Sequence, residues 1–85
     1  MTLTTSTTYA DLTITASLDT ETLRVSLDVD GIDAGSGRWV SGAISDCGAQ
    51  LAGDDIDATE AVYSALDAGL RTQIAALDAI VDTLR

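Results

Sequence analysis

The 85-residue sequence contains no histidine, lysine, proline, phenylalanine or asparagine, and it contains only one cysteine. Histidine and lysine supply most general bases and amine nucleophiles, so their absence removes the commonest catalytic groups. One cysteine excludes an intrachain disulfide, and a lone Cys47 without histidine gives zinc too few ligands. We therefore predict that the protein is not an enzyme, with no catalytic, cofactor-binding or metal-binding residues.

Basic residues are scarce as well. Four arginines stand against 14 acids, of which twelve are aspartate, so the formal net charge is −10. Such a surface repels nucleic acid phosphates and anionic membranes, but it attracts proteins with basic surfaces. We therefore expect no direct binding to nucleic acid or membrane, and a basic nucleic-acid-binding protein as partner. The alternative interpretation is that the charge reflects solubility or a coding bias toward aspartate and alanine.

Long hydrophobic runs are also missing, since no apolar stretch approaches 18 residues. Residues 1–9 are rich in threonine and have neither a basic segment nor an apolar one, unlike a secretory signal. With one cysteine and no such signal, we expect a cytoplasmic protein. The length predicts a single domain over residues 1–85, and the hydrophobic content of 46% favours a folded chain over a disordered one. A domain of a larger protein is the alternative.

The first third of the chain has the two-residue period of β-strands. Residues 1–8 form a polar segment that is either a frayed tail or a short edge strand. Residues 9–30 alternate apolar and polar side chains on both sides of a predicted hairpin loop over residues 19–22, which indicates an antiparallel β-hairpin. The predicted register pairs Leu18 with Leu23, Ala16 with Val25, Ile14 with Leu27 and Leu12 with Val29.

The middle of the chain is ambiguous. Residues 31–37 contain three glycines and are predicted to form a flexible loop. In residues 39–52 the apolar side chains fit one face of a helix, although Gly42 and Gly48 weaken it. We predict a helix over 39–52, with a third short strand over 38–41 as the alternative.

Residues 57–84 form the longest stretch without a strong breaker, and their apolar residues recur at helical spacing. Asp57 is the predicted N-cap, with Glu60 three residues later. A 28-residue helix spans about 42 Å, whereas a compact domain of this size is about 31 Å across. We therefore expect that Gly69 breaks or kinks the helix, or that another molecule covers its end.

The large side chains of this helix have two interpretations. They fit the core face of a helix packed on a sheet. They also fit the alternating a and d positions of a dimer seam, with one polar residue setting the register. The candidate seam consists of Tyr63, Leu66, Leu70, Gln73, Leu77, Ile80 and Leu84.

These elements together predict an α+β fold of two layers. Two strands alone are marginal in water, so the N-terminal antiparallel hairpin must place its apolar face on helices. We expect two C-terminal helices to cover it, giving the order ββαα.

In size, charge and hairpin-plus-helix layout, the sequence resembles the small acidic anti-CRISPR proteins that phages encode. The resemblance implies an inhibitor in the host cytoplasm that acts as a DNA mimic and blocks nucleic-acid binding by a CRISPR effector complex. The alternative is a homodimeric structural or assembly module that uses the C-terminal helix. The acidic surface expected to bind the partner consists of Asp28, Asp30, Asp33, Asp54, Asp55, Asp57, Glu60, Asp67, Asp78 and Asp82.

Overall fold

A five-stranded antiparallel sheet and one long helix make up the described part of the protein. The computed structural model describes residues 1–84. The strands follow one another as neighbours in the sheet, so each pair is joined by a short turn. Their bounds are β1 Thr2–Tyr9, β2 Leu12–Asp19, β3 Arg24–Val29, β4 Ile32–Val40 and β5 Ala43–Ser45, followed by α1 Ile56–Thr83.

The ββαα prediction is therefore wrong, because five strands and one helix replace two strands and two helices. The polar segment 1–8 belongs to the edge strand β1. The predicted helix 39–52 is instead the end of β4, the strand β5 and an irregular segment. Ser41 and Gly42 both have positive φ, as a type I′ hairpin turn requires, and Asp46 does too. A helix cannot pass through these three positions.

The predicted flexible loop 31–37 is also wrong, since nearly all of it lies in β4. Asp30 and Gly31 have φ values of 51° and 83°, so they form a second two-residue turn with the Asp-Gly sequence that favours it. Gly35 and Gly37 pair with Leu27 and Val25 inside the sheet. These glycines leave room for the chain after β5, because a Cβ at Gly37 would lie 2.7 Å from the Cβ of Cys47.

The hairpin of β2 and β3 exists, but its register differs from the prediction by two residues. Leu23 has φ 60° and lies in the turn, where its N–H donates to the Asp19 carbonyl. A shift of two keeps the same side chains on the same face, so the predicted apolar face is unchanged. The observed partners are Leu18 with Val25, Ala16 with Leu27 and Ile14 with Val29.

The core lies between the inner face of the curled sheet and α1. Ile14 and Leu27 from the sheet and Leu66 and Leu70 from the helix are all at most 1% exposed. The buried hydrophobic residues of the core are Leu3, Ile14, Ala16, Leu18, Val25, Leu27, Trp39, Leu51, Val62, Leu66 and Leu70.

Both edge strands are tied to the helix. The Gln73 side-chain amide donates to the carbonyl of Thr4 on β1. On the other side, Asp67 accepts a hydrogen bond of 2.9 Å from the backbone N–H of Ile44 on β5. The helix therefore spans the opening of the curled sheet and occupies backbone groups on each edge, which are otherwise free to pair with another chain.

The N-cap of the helix and the role of Gly69 differ from the prediction. Its N-cap is Asp55, whose carboxylate accepts from the N–H of Ala58 at 3.0 Å, and Asp57 lies in the first turn. Gly69 does not break the helix. A Cβ at Gly69 would overlap the Oγ1 of Thr5, so α1 approaches β1 closely at this glycine. The principal extents of 47 × 22 × 22 Å show that the helix sets the length of the molecule.

Candidate functional site

Eight of the 14 acidic residues gather at one end of the molecule. The β1–β2 turn and the β3–β4 turn lie side by side there, since the N–H of Asp30 donates to the Thr13 carbonyl at 2.8 Å. The helix begins at the same end, because Ala58 and Ala61 line a groove with Tyr9 at the end of β1. We call this surface the acidic end; it consists of Asp11, Asp28, Asp30, Asp33, Asp54, Asp55, Asp57 and Glu60.

These eight carboxylates account for most of the net negative charge of the protein. Removing them from the net −10 leaves only −2 for the rest of the chain. Seven of them are exposed, and Asp28 is half-buried. No arginine shares the acidic end among residues 1–84: Arg24 starts β3 and Arg38 lies near the far end of β4, whereas Arg71 donates to the Gly42 carbonyl. The two ends of the molecule therefore differ in charge.

The pairing of β3 with β4 keeps the charges apart. Asp28 faces Asp33 across the two strands, and Arg24 faces Arg38. Like charges directly opposite each other destabilise a sheet, whereas opposite charges contribute roughly 0.2–1 kcal/mol. Exchanging one arginine with one aspartate would remove both repulsions. The sequence instead retains two unfavourable pairs and a separation of charge along the strands.

Backbone hydrogen bonds fix the carboxylates of Asp30, in the β3–β4 turn, and of Asp33, near the start of β4. Asp30 Oδ1 accepts from the N–H of Thr13 at 2.9 Å, and Asp33 Oδ1 accepts from the N–H of Gly35 at 3.1 Å. At the other side of the acidic end, Asp55 is held by its cap to Ala58. These three carboxylates are therefore oriented by the fold, whereas exposed carboxylates without such bonds have free rotamers.

Three of the predicted acidic residues lie away from this end. Asp67 points toward β5 and is half-buried, so its carboxylate serves the sheet edge. Asp78 and Asp82 are on the last turns of α1, at the opposite end of the molecule. Asp11, which the predicted surface omitted, belongs to the acidic end because its turn adjoins that of Asp30. The hairpin register is the signal that places Asp11 there.

The predicted dimer seam is divided by the fold. Leu66 and Leu70 are buried in the core, and Gln73 bonds to Thr4. The hydroxyl of Tyr63 donates to the Ala49 carbonyl at 2.7 Å and lies 3.4 Å from the Cys47 sulfur. Leu77 is half-buried, and only Ile80 and Leu84 of the seam are exposed, at 56% and 81%.

The surroundings of Tyr63 and Cys47 also have an electrostatic consequence. Burial, followed by the hydrogen bond to Cys47, raises the pKa of Tyr63 well above its usual value of 10. The phenol therefore stays protonated as a hydrogen-bond donor. Its role is to fasten the irregular segment before α1 to the helix.

Within residues 1–84, no group of three or more cysteine, aspartate or glutamate side chains is arranged to hold a metal ion. The helix also does not combine the length and apolar character that a membrane crossing needs.

Comparison of the chain with protein families, characterised proteins and solved structures gave no match. The proposals that follow therefore depend on the geometry and charge of this chain alone.

Proposed function

We propose that the protein is a non-enzymatic binding protein whose acidic end occupies the nucleic-acid-binding surface of a basic partner protein. The observation that carries the proposal is the concentration of eight carboxylates at one end. Nucleic-acid-binding surfaces present arginine and lysine to phosphates, and a compact anionic surface offers them the same attraction. The like-charge pair Asp28–Asp33 supports a binding role, because two facing carboxylates lower the stability of the sheet.

Rigidity favours this function too. The hydrogen bonds of Asp30, Asp33 and Asp55 hold carboxylates in place before a partner arrives. Preorganised groups lose less entropy on binding than freely rotating ones, so each contact contributes more to affinity. The two sheet turns are two strand spacings apart, about 10 Å, and present separate groups of charge.

The specific form that we propose is an anti-CRISPR inhibitor, a DNA mimic acting in the host cytoplasm on a CRISPR effector complex. The test measures whether the protein inhibits target-DNA binding by a panel of purified effector complexes. Inhibition should weaken steeply with salt, because the contact is electrostatic. An absence of inhibition across the panel, with binding to another basic DNA-binding protein, would contradict the anti-CRISPR form but keep the broader function.

A matched pair of variants tests the role of the acidic end. Asp30→Asn with Asp33→Asn removes two charges and keeps both acceptor oxygens, so the turns should stay intact. Glu21→Gln with Asp78→Asn removes the same charge elsewhere. We expect the first variant to weaken binding about tenfold or more, as for charged contacts of about 1.5–3 kcal/mol. Equal effects of the two variants would show that only the net charge matters.

A homodimeric assembly module is the second candidate, favoured by the exposed end of α1. Ile80, Val81 and Leu84 are 56%, 48% and 81% exposed on the last turns, where the sheet no longer covers the helix. Neighbouring apolar groups of this kind often mark protein contacts. A second copy packed on these residues would place the two acidic ends far apart.

Light scattering after size exclusion tests the dimer at low and high salt. A dimer should have twice the monomer mass of 8.7 kDa. Ile80→Glu should then give a monomer, whereas Ile32→Glu should not, although Ile32 at the acidic end is 74% exposed. A wild-type monomer at both salt concentrations would exclude this candidate.

A further inference from the structure

An open cavity of about 510 Å³ lies on the outer face of the sheet, away from the acidic end. Two of the four arginines line it, in a protein with 14 acids. The lining residues are Thr22, Arg24, Ser36, Gly37, Arg38 and Asp46.

The two arginines are direct neighbours. Arg24 on β3 is the register partner of Arg38 on β4, so both side chains project from the same face. The Cβ atoms of such partners lie about 4.5–5.5 Å apart, which lets both guanidinium groups reach one point. Within residues 1–84, neither arginine has a carboxylate partner in an ion pair.

The nearest carboxylate along the strands is engaged elsewhere. Asp19 faces Arg24 from β2. Its Oδ1, however, accepts from the backbone N–H of Glu21 at 2.9 Å, and this bond holds the pKa of Asp19 below its usual value. The β2–β3 turn therefore holds one oxygen of this carboxylate, whose negative charge still faces Arg24, and the side-chain N–H groups of Arg24 remain available as donors.

Hydroxyl groups and a close backbone approach complete the cavity. Thr22 Oγ1 accepts from the N–H of Arg24 at 3.3 Å, and the Thr22 hydroxyl also bonds to the carboxylate of Asp19. Ser36 adds a second hydroxyl. The segment after β5 passes close to β4 on the inner face, where a Cβ at Gly37 would lie 2.6 Å from the Ser45 carbonyl oxygen, and it brings Asp46 to the cavity.

We propose that this cavity is a binding site for a phosphate group, either the free ion or a phosphate ester. The N–H groups of arginine match the oxygens of phosphate in paired hydrogen bonds. A phosphate carries about −1.5 to −2 charge at pH 7, which compensates both arginines, whereas a carboxylate compensates only one. Binding would also relieve the repulsion between Arg24 and Arg38.

The acidic end does not prevent this binding. Arg24 and Asp28 are four positions apart on β3, which corresponds to about 13 Å. At physiological ionic strength the Debye length is about 8 Å, so most of the repulsion from that end is screened. Asp46 is the one carboxylate in the lining, and it opposes an anion locally.

An NMR titration of the ¹⁵N-labelled protein with inorganic phosphate, at ionic strength held constant with sodium chloride, tests the site. We expect saturable shifts at the amides of Gly37 and Arg38. Arg38→Gln should weaken the affinity about tenfold or more. Arg71→Gln makes the same change in charge outside the cavity and should leave the affinity within twofold. Asp46→Asn should tighten binding.

Two further probes define the ligand. Acetate should bind at least tenfold more weakly than phosphate, and equal binding would overturn the assignment to phosphate. Tighter binding of glycerol phosphate than of inorganic phosphate would identify an ester, and the reverse would identify the free ion. Shifts that do not saturate, or equal losses in Arg38→Gln and Arg71→Gln, would overturn the site. Arg24→Gln serves as a second cavity variant, and circular dichroism checks that each variant folds.

Discussion

Gly69 gives the sharpest test of how α1 packs on the sheet. In the interior of an exposed helix, alanine is more favourable than glycine by about 1 kcal/mol. Helix propensity alone therefore predicts that Gly69→Ala stabilises the protein. The structure predicts the opposite, because the new methyl group would overlap the Thr5 hydroxyl and lie 3.0 Å from the Cβ of Thr5.

The magnitude depends on whether Thr5 can move. Rotating its side chain can move Oγ1 away, but the Cβ stays in place, 3.0 Å from the position of the new methyl group. Thr5 is fixed in β1 by its pairing with Ala16. The helix must therefore shift away from the strand, and overpacking of this kind typically costs about 1–3 kcal/mol. After the gain in helix propensity, we expect a net loss of up to about 2 kcal/mol.

Urea unfolding followed by Trp39 fluorescence and by circular dichroism measures this loss. With a slope near 1 kcal/mol per molar urea, a loss of about 1 kcal/mol lowers the midpoint by about 1 M. The double variant Thr5→Ala with Gly69→Ala should recover most of the loss. Gly48→Ala is the control, because no atom lies within 4 Å of a Cβ at that position. If Gly69→Ala raised the midpoint as Gly48→Ala does, the close approach would be wrong.

Three further predictions concern single hydrogen bonds. Asp55→Ala should lower the free energy of unfolding by about 1 kcal/mol through loss of the N-cap, whereas Asp57→Ala should lower it less. Equal losses of stability in urea unfolding would contradict the assignment of Asp55 as the N-cap. Asp67→Ala should lower the free energy of unfolding by about 1.5–3 kcal/mol and speed hydrogen exchange at the Ile44 amide. Asp67→Asn should retain part of the hydrogen bond. Unchanged exchange in Asp67→Ala would refute the contact between Asp67 and β5. Tyr63→Phe should cost about 0.5–1.5 kcal/mol. Because the folded-state pKa of Tyr63 is raised, its contribution to the free energy of unfolding is complete below pH 10 and decreases as the pH rises above 10. The stability of Tyr63→Phe should decrease less over that range. An equal decrease in the wild type and in Tyr63→Phe would contradict the direction of the pKa shift.

The long helix and the apolar faces of the strands can be predicted from the sequence, but the number of strands cannot. The periodicity of residues 57–84 predicts α1 to within one residue, since nine large apolar side chains agree on one face. β1 has few apolar residues, and its threonines make it ambiguous between a strand and a tail. β4 contains Gly35 and Gly37, which weaken any local strand preference; they are needed because a distant segment crosses them.

The β2–β3 register illustrates a further limit. Two registers that differ by two residues bury the same side chains, so hydrophobic pattern cannot choose between them. The choice depends on Leu23, which adopts φ 60° in the turn, a conformation that leucine seldom adopts. The Asp30-Gly31 sequence, in contrast, is a strong hairpin signal that was available from the sequence.

The candidate acidic end could be predicted only in part. Charge composition indicates an acidic protein, and Asp28, Asp30 and Asp33, in and beside the β3–β4 turn, are close in sequence. That the helix N-terminus lies beside them depends on which strand the helix packs against, a tertiary contact that local pattern does not contain. Arg24 and Arg38 face each other because β3 pairs with β4. The prediction of a loop over residues 31–37 did not include that strand pair.

The attachment of both sheet edges to one helix has a consequence during synthesis. A growing chain completes its five strands before the residues of α1 emerge, since chains are made from the N-terminus. Until Asp67 and Gln73 are available, two unprotected strands can recruit neighbouring polypeptides. A chain truncated before the helix should therefore aggregate rather than persist as a sheet. The last third of the sequence thus protects the sheet formed by the first two thirds from association with other chains.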